Sequence, residues 1–452
     1  MVYGALIWSA AAQAETTERA PAESVRSDES CSRRADLRCN HEPVAASKHI
    51  PPASPDRFLS LGGEWRIRGE YARNPDFGLD VSEDRALLQR ILLHADLRLD
   101  PSTRVFVQLG SHVAVGRESG DGPTDEDGLD LAQAFVDLSD ELGSGRLTVR
   151  VGRQETSLGS SRLVSVRESP NVRRAFDGVR AFWRSGDVSI DALYLRPVEL
   201  ERGVFDDRTA GSEAIYGVYL TAPLIPTAGA NVDLYYLNYN RKRARFAQGT
   251  ASERRISLGA RLFGKRHDLD WDIEAVYQFG SFGGVGIEAW TVASNVGFTF
   301  STAPWQPRIG LKANVASGDK SRSDGVLGTF NPLFPRLPYF TEAGLVAPAN
   351  IMDLHPTLSL TPGGTLSVAF GLDILWRHRR ADALYAPPLV PVNALATTDR
   401  FVGAQLEAAL EWQATPQLEV KAWYVRSYAG SAVQAAGAQD TDFLAASIAW
   451  RF

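Results

Sequence analysis

From residue 58 onward, apolar and polar side chains alternate with a period of two. In the first such stretch, Trp65 and Ile67 are interleaved with Arg66 and Arg68. The same alternation recurs over residues 255–262, 270–279 and 366–377. A period of two predicts β-strands with one apolar and one polar face. The runs extend over about ten residues or more, beyond a typical globular strand and close to what a tilted strand needs to cross a bilayer.

The spacing of these segments predicts how they connect. About eighteen of them follow one another between residues 60 and 452, joined alternately by short and long connections. The short connections are at residues 100–102, 185–186, 265–269, 362–364 and 415–417. The long ones are at residues 116–130, 157–174, 196–212, 317–349 and 378–398. Short periplasmic turns and long extracellular loops are typical of an outer-membrane barrel. The sequence therefore predicts an all-β transmembrane barrel of about 18 antiparallel strands.

Aromatic residues near the strand ends support a membrane location. The candidates for interfacial girdles are Trp65, Tyr71, Trp183, Trp290, Trp376, Trp412, Trp423 and Trp450. The final segment is apolar at every second position and ends on Phe452. A terminal aromatic residue on an amphipathic strand is the usual signal for the barrel-assembly machinery, which we therefore expect as a partner. A soluble β-sandwich or propeller is the alternative, because a sequence does not show which face points inward.

Composition and the amino end refine this picture. The chain is 44% hydrophobic and 23% charged, which excludes a disordered polymer, and its net charge of −6 does not indicate nucleic acid as a partner. No apolar run reaches the length of a membrane helix. Residues 1–14 resemble a signal peptide without its basic start and end in an A-x-A pattern. We expect a disordered periplasmic extension over residues 15–57, in which Cys31 and Cys39 could form a disulfide, and the barrel over residues 58–452.

Sequence motifs give little indication of catalysis. The seven His residues form no HExxH pattern, and no GxSxG or phosphate-binding GxxxxGK[ST] motif is present. Residues 120–128 resemble a calcium loop only loosely, because the required DxDxDG spacing and later Glu are missing. An acidic extracellular loop is the simpler interpretation. The sequence thus predicts no enzyme, no cofactor and no metal site, although lumen-facing His94 and His112 leave an outer-membrane hydrolase as a remote alternative.

Two pairs of motifs resemble a known family. The first is V-G-R-Q at residues 151–154 with A-F-D-G-V-R at 175–180, and the second is A-S-G-D at 316–319 with G-T-F-N-P-L-F-P at 328–335. Together with residues 253–261 and 274–280, they resemble the bacterial outer-membrane alginate export family over nearly the whole barrel. The resemblance implies a monomeric eighteen-stranded barrel whose Arg-rich lumen passes an anionic uronate polysaccharide across the bacterial outer membrane.

One departure from the family leaves the substrate open. Exporters of this type carry a long periplasmic turn before the penultimate strand that plugs the pore, whereas here that turn is only Thr415–Gln417. A substrate-selective diffusion porin for small solutes is therefore the alternative function. Either channel would contact outer-membrane lipid and lipopolysaccharide.

The charged face supplies the candidate pathway. Only six cations are Lys and 42 are Arg, a side chain that keeps its charge in confined places and binds carboxylates through two nitrogens. A series of fixed cations would lower the entry barrier for a polymer with one carboxylate per sugar. The predicted pathway residues are Arg66, Arg68, Arg90, Arg98, Arg150, Arg153, Arg162, Arg174, Asp177, Arg180, Arg261, Arg308, Lys312, Asp319 and Arg377.

Several of these residues carry a specific expectation. Arg153 breaks the alternation of Val149 and Val151 and needs a β-bulge to point inward. Arg162 and Arg174 lie in a long loop that we expect to fold into the mouth. Asp177 and Asp319 either organise the arginine network or belong to turns with the Gly that follows or precedes them. Any single Arg could instead be a structural partner of a wall carboxylate.

Overall fold

Long strands account for most of the chain. The computed structural model describes residues 48–50, 57–392 and 399–452. The first nine strands are β1 Phe58–Arg73, β2 Glu83–Asp100, β3 Thr103–Val115, β4 Asp127–Leu142, β5 Gly145–Glu155, β6 Ala175–Ser185, β7 Val188–Glu199, β8 Glu213–Ile225 and β9 Ala230–Phe246. The other nine are β10 Gly249–Arg266, β11 Leu269–Phe282, β12 Val285–Thr299, β13 Arg308–Ala316, β14 Ile351–Leu360, β15 Leu366–Arg377, β16 Phe401–Gln413, β17 Leu418–Ala429 and β18 Thr441–Arg451.

These eighteen strands form a closed antiparallel barrel. Each pairs with the strand before and after it, and β18 pairs with β1 from Glu64–Arg451 to Arg73–Asp442. Closure leaves no open sheet edge whose backbone groups would lack partners in lipid. None of the helices in the described residues has the length and apolarity to cross a membrane. The predicted fold and strand number are confirmed.

The two faces of the wall differ in chemistry. On β1, Trp65 and Ile67 are 45% and 40% exposed on the outside, whereas Arg66 and Arg68 on the inner face are 6% and 3% exposed. The pattern repeats on β10, where Leu258 is exposed and Arg255 is fully buried. An apolar outer band around a polar interior is the arrangement that lipid requires of a barrel.

The connections differ in length at the two ends. Eight turns join the strands at one end, at residues 101–102, 143–144, 186–187, 226–229, 267–268, 300–307, 361–365 and 414–417. At the long-loop end the nine loops are L1 74–82, L2 116–126, L3 156–174, L4 200–212, L5 247–248, L6 283–284, L7 317–350, L8 378–400 and L9 430–440. The five short and the five long connections named from the sequence lie at opposite ends as predicted, but the alternation is not uniform, because L5 and L6 have two residues each and the turn at 300–307 has eight.

The amino-terminal predictions fall largely outside the described residues. The predicted signal peptide and both Cys residues lie outside the described residues. Of the extension predicted over residues 15–57, the structure describes Arg57 and the strand Lys48–Ile50. That strand pairs with Leu59–Leu61 at the start of β1.

Candidate functional site

L3 and L7 enter the barrel together and form what we call the belt. Their backbones are joined where Arg336 N–H donates to Ser161 O at 2.9 Å and Phe334 N–H donates to Leu163 O at 2.8 Å. Arg167 Nε also donates to Pro335 O at 3.1 Å. Around these contacts, apolar side chains of both loops pack against the inner faces of β6–β12. The belt is thus a packed layer inside the lumen, as expected for the loop that carries Arg162.

One end of L3 is held by arginines of β1 and β2. Arg66 donates to Glu168 O at 2.9 Å and to Pro170 O at 3.1 Å. Arg90 pairs with the Glu168 carboxylate and with Glu64, 2.8 Å away. Both guanidinium groups are buried, so each replaces lost hydration with protein oxygens. These two predicted pathway residues therefore position L3.

Glu168 of L3 is a largely buried carboxylate that lies in a loop and not in a membrane-spanning strand. Burial raises its pKa, but Arg173, with Nε 2.7 Å away, and Arg90 lower it well below its ordinary value. The carboxylate therefore stays ionised and keeps L3 attached to the wall.

The opposite end of L3 is held by β11. Arg162 lies 3.0 Å from Asp272 Oδ1 and 2.8 Å from Glu274 Oε2. Ser160 Oγ donates to the same Glu274 carboxylate at 2.5 Å. L3 therefore spans the lumen from β11 to β1 and β2.

L7 reaches the third side of the lumen. Arg68 contacts Glu342 Oε1 at 2.9 Å, and Glu342 N–H donates to Glu407 Oε1 at 2.8 Å. Thr341 hydrogen-bonds Gln405 of β16. The belt is thus attached to the wall at three separate places.

Two cavities flank residues 336–342 of L7 and are lined by more cations than acids. Cavity A, against β1, β17 and β18, is lined by five cations and three acids: Arg66, Arg68, Arg336, Lys421 and Arg451, with Glu168, Glu342 and Glu419. Cavity B, against β12, β13 and β14, is lined by three cations and one acid: Arg162, Lys312 and Arg336, with Asp353. Arg336 borders both. An anion moving past L7 would meet cations on either side.

Four of the predicted pathway arginines are paired within the wall. Arg150 binds Asp137 through two nitrogens at 2.7 and 2.9 Å, and Arg180 donates to Asp191 at 2.7 Å. The other two form the same kind of pair: Arg261 with Asp272 and Asp233, and Arg308 with Asp270. Because each of these arginines lies beside at least one carboxylate, they contribute less to the field of the lumen than their number suggests.

The remaining predicted residues lie in different surroundings. Arg98 lies over the ring of Phe58 near the short-turn end, and Arg174 lies over Phe334 of the belt. Arg377 donates to Asp399 O at 3.1 Å beneath L8. Asp319 of L7 accepts from Gln248, and its N–H donates to Asp382 at 2.9 Å. Asp319 thus connects L7 with L5 and L8.

The expectation that Arg153 points inward through a bulge is wrong. β5 pairs with β4 and β6 in continuous register, so Arg153 keeps the face of exposed Val151. It binds Asp177, the opposite residue on β6, at 3.0 and 3.3 Å on the outside of the wall. Because the register gives both residues the outer face, neither lines the lumen. Asp130 and Asp207 at the long-loop end also compensate the charge of the arginine.

The Asp177–Gly178 pair does not form a turn. Both residues belong to β6, where Gly178 has φ 156° and a Cβ would lie 2.1 Å from Tyr194 O. The glycine is needed for close strand contact. Asp177 accepts hydrogen bonds from Arg153 and Thr209 on the outside of the wall, so it does not organise an arginine network in the lumen.

Sequence reasoning missed four lumen residues and misplaced a fifth. Arg336, Glu342, Glu168 and Arg451 were not selected, although Arg336 directly follows the recognised T-F-N-P-L-F-P run. Trp423, expected in an interfacial girdle, is 5% exposed and lies in cavity A with Arg68 5.0 Å above its ring. Its position two residues from Lys421 on the same strand face was the available signal.

The barrel is similar to solved structures of outer-membrane channels. Acinetobacter baumannii OccAB1 aligns with a TM-score of 0.58 and 11% identity, over 87% of this chain and 96% of that one. Pseudomonas aeruginosa OpdO gives 0.57 and 13%, over 87% and 97%. P. aeruginosa OccK2 (OpdF), solved in complex with glucuronate, gives 0.53 and 10%, over 87% and 96%. At these identities the similarity concerns the fold.

The family is identified by sequence. No curated protein matches the chain significantly. The model of the family described as alginate export matches residues 57–447, which includes β1 to β17 and most of β18. Together with the closed eighteen-stranded barrel, this match shows that the chain belongs to the alginate export family of outer-membrane β-barrel proteins.

Proposed function

We propose that this outer-membrane channel passes anionic uronate saccharide, with an alginate-like polymer as its main substrate. The observation that carries the proposal is the excess of cations around residues 336–342 of L7, in both flanking cavities. Membership of the alginate export family supports a polymer, and the long-loop end would face the outside of the cell.

The chemistry of the cavities suits a chain of carboxylated sugars. Several cations in series bind each carboxylate weakly, so that the polymer moves between sites without being trapped at one. Trp423 borders cavity A and Tyr339 borders cavity B, and because their rings are only 5% and 9% exposed they would meet the C–H face of a sugar only once L7 moves away from the wall. Because Glu342 and Asp353 stand beside these cations, a solute carboxylate competes with a protein carboxylate for the same guanidinium.

A diffusion porin for small acidic solutes is the second candidate, favoured by the belt itself. L3 and L7 occupy the lumen with buried side chains and are attached at three places, which restricts the width available to a polymer. One solved relative of the same fold is a complex with glucuronate, a single uronate sugar.

Conductance with uronates of increasing length distinguishes the two. The refolded full chain is inserted in a planar bilayer, the reversal potential is measured under a salt gradient, and glucuronate or oligouronates are added to either side. The polymer channel predicts anion selectivity and a block that strengthens with oligomer length. The porin predicts that glucuronate permeates and that longer oligomers have no stronger effect.

Two variants test whether Arg336 beside L7 contributes to the oligouronate block. Arg336→Ala should weaken the oligouronate block about tenfold, which is about 1.4 kcal/mol and within the range of one charge pair near a protein surface. Arg243→Ala, at an exposed position near the end of β9, is the matched control and should leave it unchanged. Cation selectivity, or equal block in both variants, contradicts the proposal.

We also propose the partners expected from the sequence. The exposed apolar band would contact outer-membrane lipid and lipopolysaccharide, and Phe452 would direct β18 to the barrel-assembly machinery. As the family resemblance implies, the channel would work as a monomer, and one chain is sufficient to close the barrel. Blue-native electrophoresis and crosslinking in membranes test oligomeric state and contacts.

A further inference from the structure

Three carboxylates converge at the long-loop end of β4, away from the belt. Asp127 and Asp130 belong to β4 and Asp207 to L4, and one oxygen of each lies within 4.8 Å of the others. The three side chains are only 4–5% exposed. Two oxygens that bind one Ca²⁺ at about 2.4 Å each lie at most twice that distance apart. The spacing therefore allows a shared ion.

A second observation points to a ligand at this place. Asp127 Oδ1 is buried and has no hydrogen-bond partner. His112 of β3, opposite Asp127, is 3% exposed, and its Nδ1 also lacks a partner, 3.6 Å from Asp127 Oδ2. A buried carboxylate oxygen without a partner is costly, so such groups are paired or bind a metal.

The nearby protein cation compensates only part of the charge. Arg153 lies 3.5 Å from Asp130 and 3.8 Å from Asp207, but its two shortest carboxylate contacts are to Asp177. Asp206 adds a further acid whose Oδ1 is buried without a partner. The cluster therefore keeps a net negative charge that one divalent ion would reduce by two.

Backbone hydrogen bonds hold two of the carboxylates in position. Asp130 accepts from the N–H groups of Leu131 at 2.7 Å and Asp207 at 3.0 Å, and Asp207 accepts from Glu201 N–H at 2.8 Å. These bonds orient the Asp130 and Asp207 carboxylates, and the Asp127 carboxylate completes the set. Carboxylate and carbonyl oxygens are ligands of hard cations such as Ca²⁺.

We propose that Asp127, Asp130 and Asp207 form a Ca²⁺ site that fastens L4 to the end of β4. L4 already touches this strand where Phe205 N–H donates to Leu129 O at 2.9 Å. An ion shared by both elements would hold L4 over β3–β5 and relieve the carboxylate repulsion. Two of the ligands lie at the start of β4 and the third lies in L4, so a motif for a contiguous calcium loop does not detect the site.

Calorimetry on the full chain in detergent tests the site. The protein is stripped with a chelator and titrated with CaCl₂ alone, and in a separate arm with MgCl₂ alone. We expect one Ca²⁺ per chain and weaker Mg²⁺ binding, because Mg²⁺ needs shorter distances and keeps its waters. Asp127→Asn and Asp207→Asn should each weaken Ca²⁺ binding at least about tenfold, since a charged ligand is lost.

A control and a second readout keep the test decisive. Asp121→Asn removes an acid of L2 that contacts Arg202 of L4 at 3.3 Å but is not part of the cluster, and it should bind Ca²⁺ like the wild type.

Without Ca²⁺, Asp207→Asn should unfold at the wild-type temperature or above it, because it relieves repulsion. With Ca²⁺ only the wild type and Asp121→Asn should gain thermal stability. Absence of Ca²⁺ binding, or equal binding in all variants, overturns the proposal.

Discussion

At the scale of single residues, Arg150 shows how the wall accommodates its many arginines. Its guanidinium forms two hydrogen bonds with Asp137 and lies 3.7 Å from the centre of the Phe135 ring. Such a stacked bidentate pair depends on the planar shape of Arg, which Lys cannot supply. The arginine-rich composition is thus explained partly by wall construction.

Removal of Arg150 should therefore affect stability more than transport. Arg150→Ala leaves the Asp137 carboxylate buried with only a longer contact of 3.5 Å to Arg104, and we expect a loss of about 3 kcal/mol. Equilibrium urea unfolding in lipid vesicles measures it. Arg146→Ala on the same strand, whose partner Glu141 is mostly exposed, is the control and should cost about 1 kcal/mol or less. Equal losses in the two variants would contradict the structural role.

Trp423 offers a residue-scale test of cavity A. Trp423→Ala removes the ring beneath Arg68 and an apolar surface for a sugar, so oligouronate block should weaken about threefold to tenfold, a range typical of one cation–π or stacking contact. Reversal potential should stay unchanged because no charge is lost. Trp412→Ala, on the outer face of β16, is the matched control in the same conductance assay.

Alternation along a strand could predict most of these residue positions. It placed Arg66, Arg68 and Arg90 on the inner face, and it would have placed Trp423 there beside Lys421. It could not show which arginines are neutralised, since partners such as Asp191 and Asp233 lie on neighbouring strands or further away. For Arg153 the alternation was correct, because it gives this residue the outer face of Val151, and only the added bulge was wrong. Its carboxylate partners come from three other elements and could not be predicted from the strand pattern.

At the scale of elements, the belt depends on a few anchors of L3. Asn171 is fully buried, and its Nδ2 donates to Gln89 O at 3.0 Å, Asp125 O at 2.9 Å and Val113 O at 3.3 Å. One side chain thus joins L3 to β2, β3 and L2. Because the acceptors are backbone carbonyls, no alternation or motif in the sequence indicates them.

Asn171→Asp should loosen L3 and widen the pore. The carboxylate cannot donate to the three carbonyls, and each buried group left without its partner costs about 1–3 kcal/mol. We expect larger and noisier single-channel conductance and faster proteolysis of L3. Asn231→Asp, in the wall at the start of β9, is the control and should conduct like the wild type. An unchanged conductance in Asn171→Asp would show that L3 is held by its ion pairs alone.

The strands were more accessible to sequence reasoning than the loops. Each strand can be predicted from the local alternation of apolar and polar residues and from the turn that follows it. The alternation is required because one face of the strand meets lipid and the other meets the polar lumen. The belt is defined by long-range contacts, such as the parallel bridge of Val164 with Phe334, which local patterns do not encode. The sequence therefore predicted that L3 enters the mouth but not that L7 joins it.

At the scale of the whole molecule, the seam between β18 and β1 determines closure. Gly63 N–H donates to Phe452 O at 2.8 Å, and Phe452 N–H donates to Gly63 O at 3.1 Å. The Phe452 ring lies 4.7 Å from that of Trp450. The terminal residue thus completes the seam as well as being the expected assembly signal.

Deletion of Phe452 should slow barrel formation without changing the open pore. It removes two seam hydrogen bonds, each of about 1 kcal/mol, and the terminal ring. Heat-modifiable electrophoretic mobility during folding into vesicles measures the rate. Phe452→Ala keeps the backbone bonds and separates the contribution of the ring. Equal rates in all three proteins would show that the seam closes without the terminal residue.

The three attachments of the belt bear on how the channel responds to its own solute. A lid with one hinge opens by swinging, but a layer held at β1, β11 and β16 moves only when ion pairs and hydrogen bonds at several places are exchanged. A uronate carboxylate that takes Arg68 from Glu342 breaks one of those contacts while the solute enters cavity A. If uronates pass as proposed, each bound carboxylate would weaken the barrier for the next sugar. Flux through the channel should therefore rise more steeply than in proportion to solute concentration. A polymer with many carboxylates should open the channel progressively, because each of its carboxylates replaces one protein carboxylate in turn.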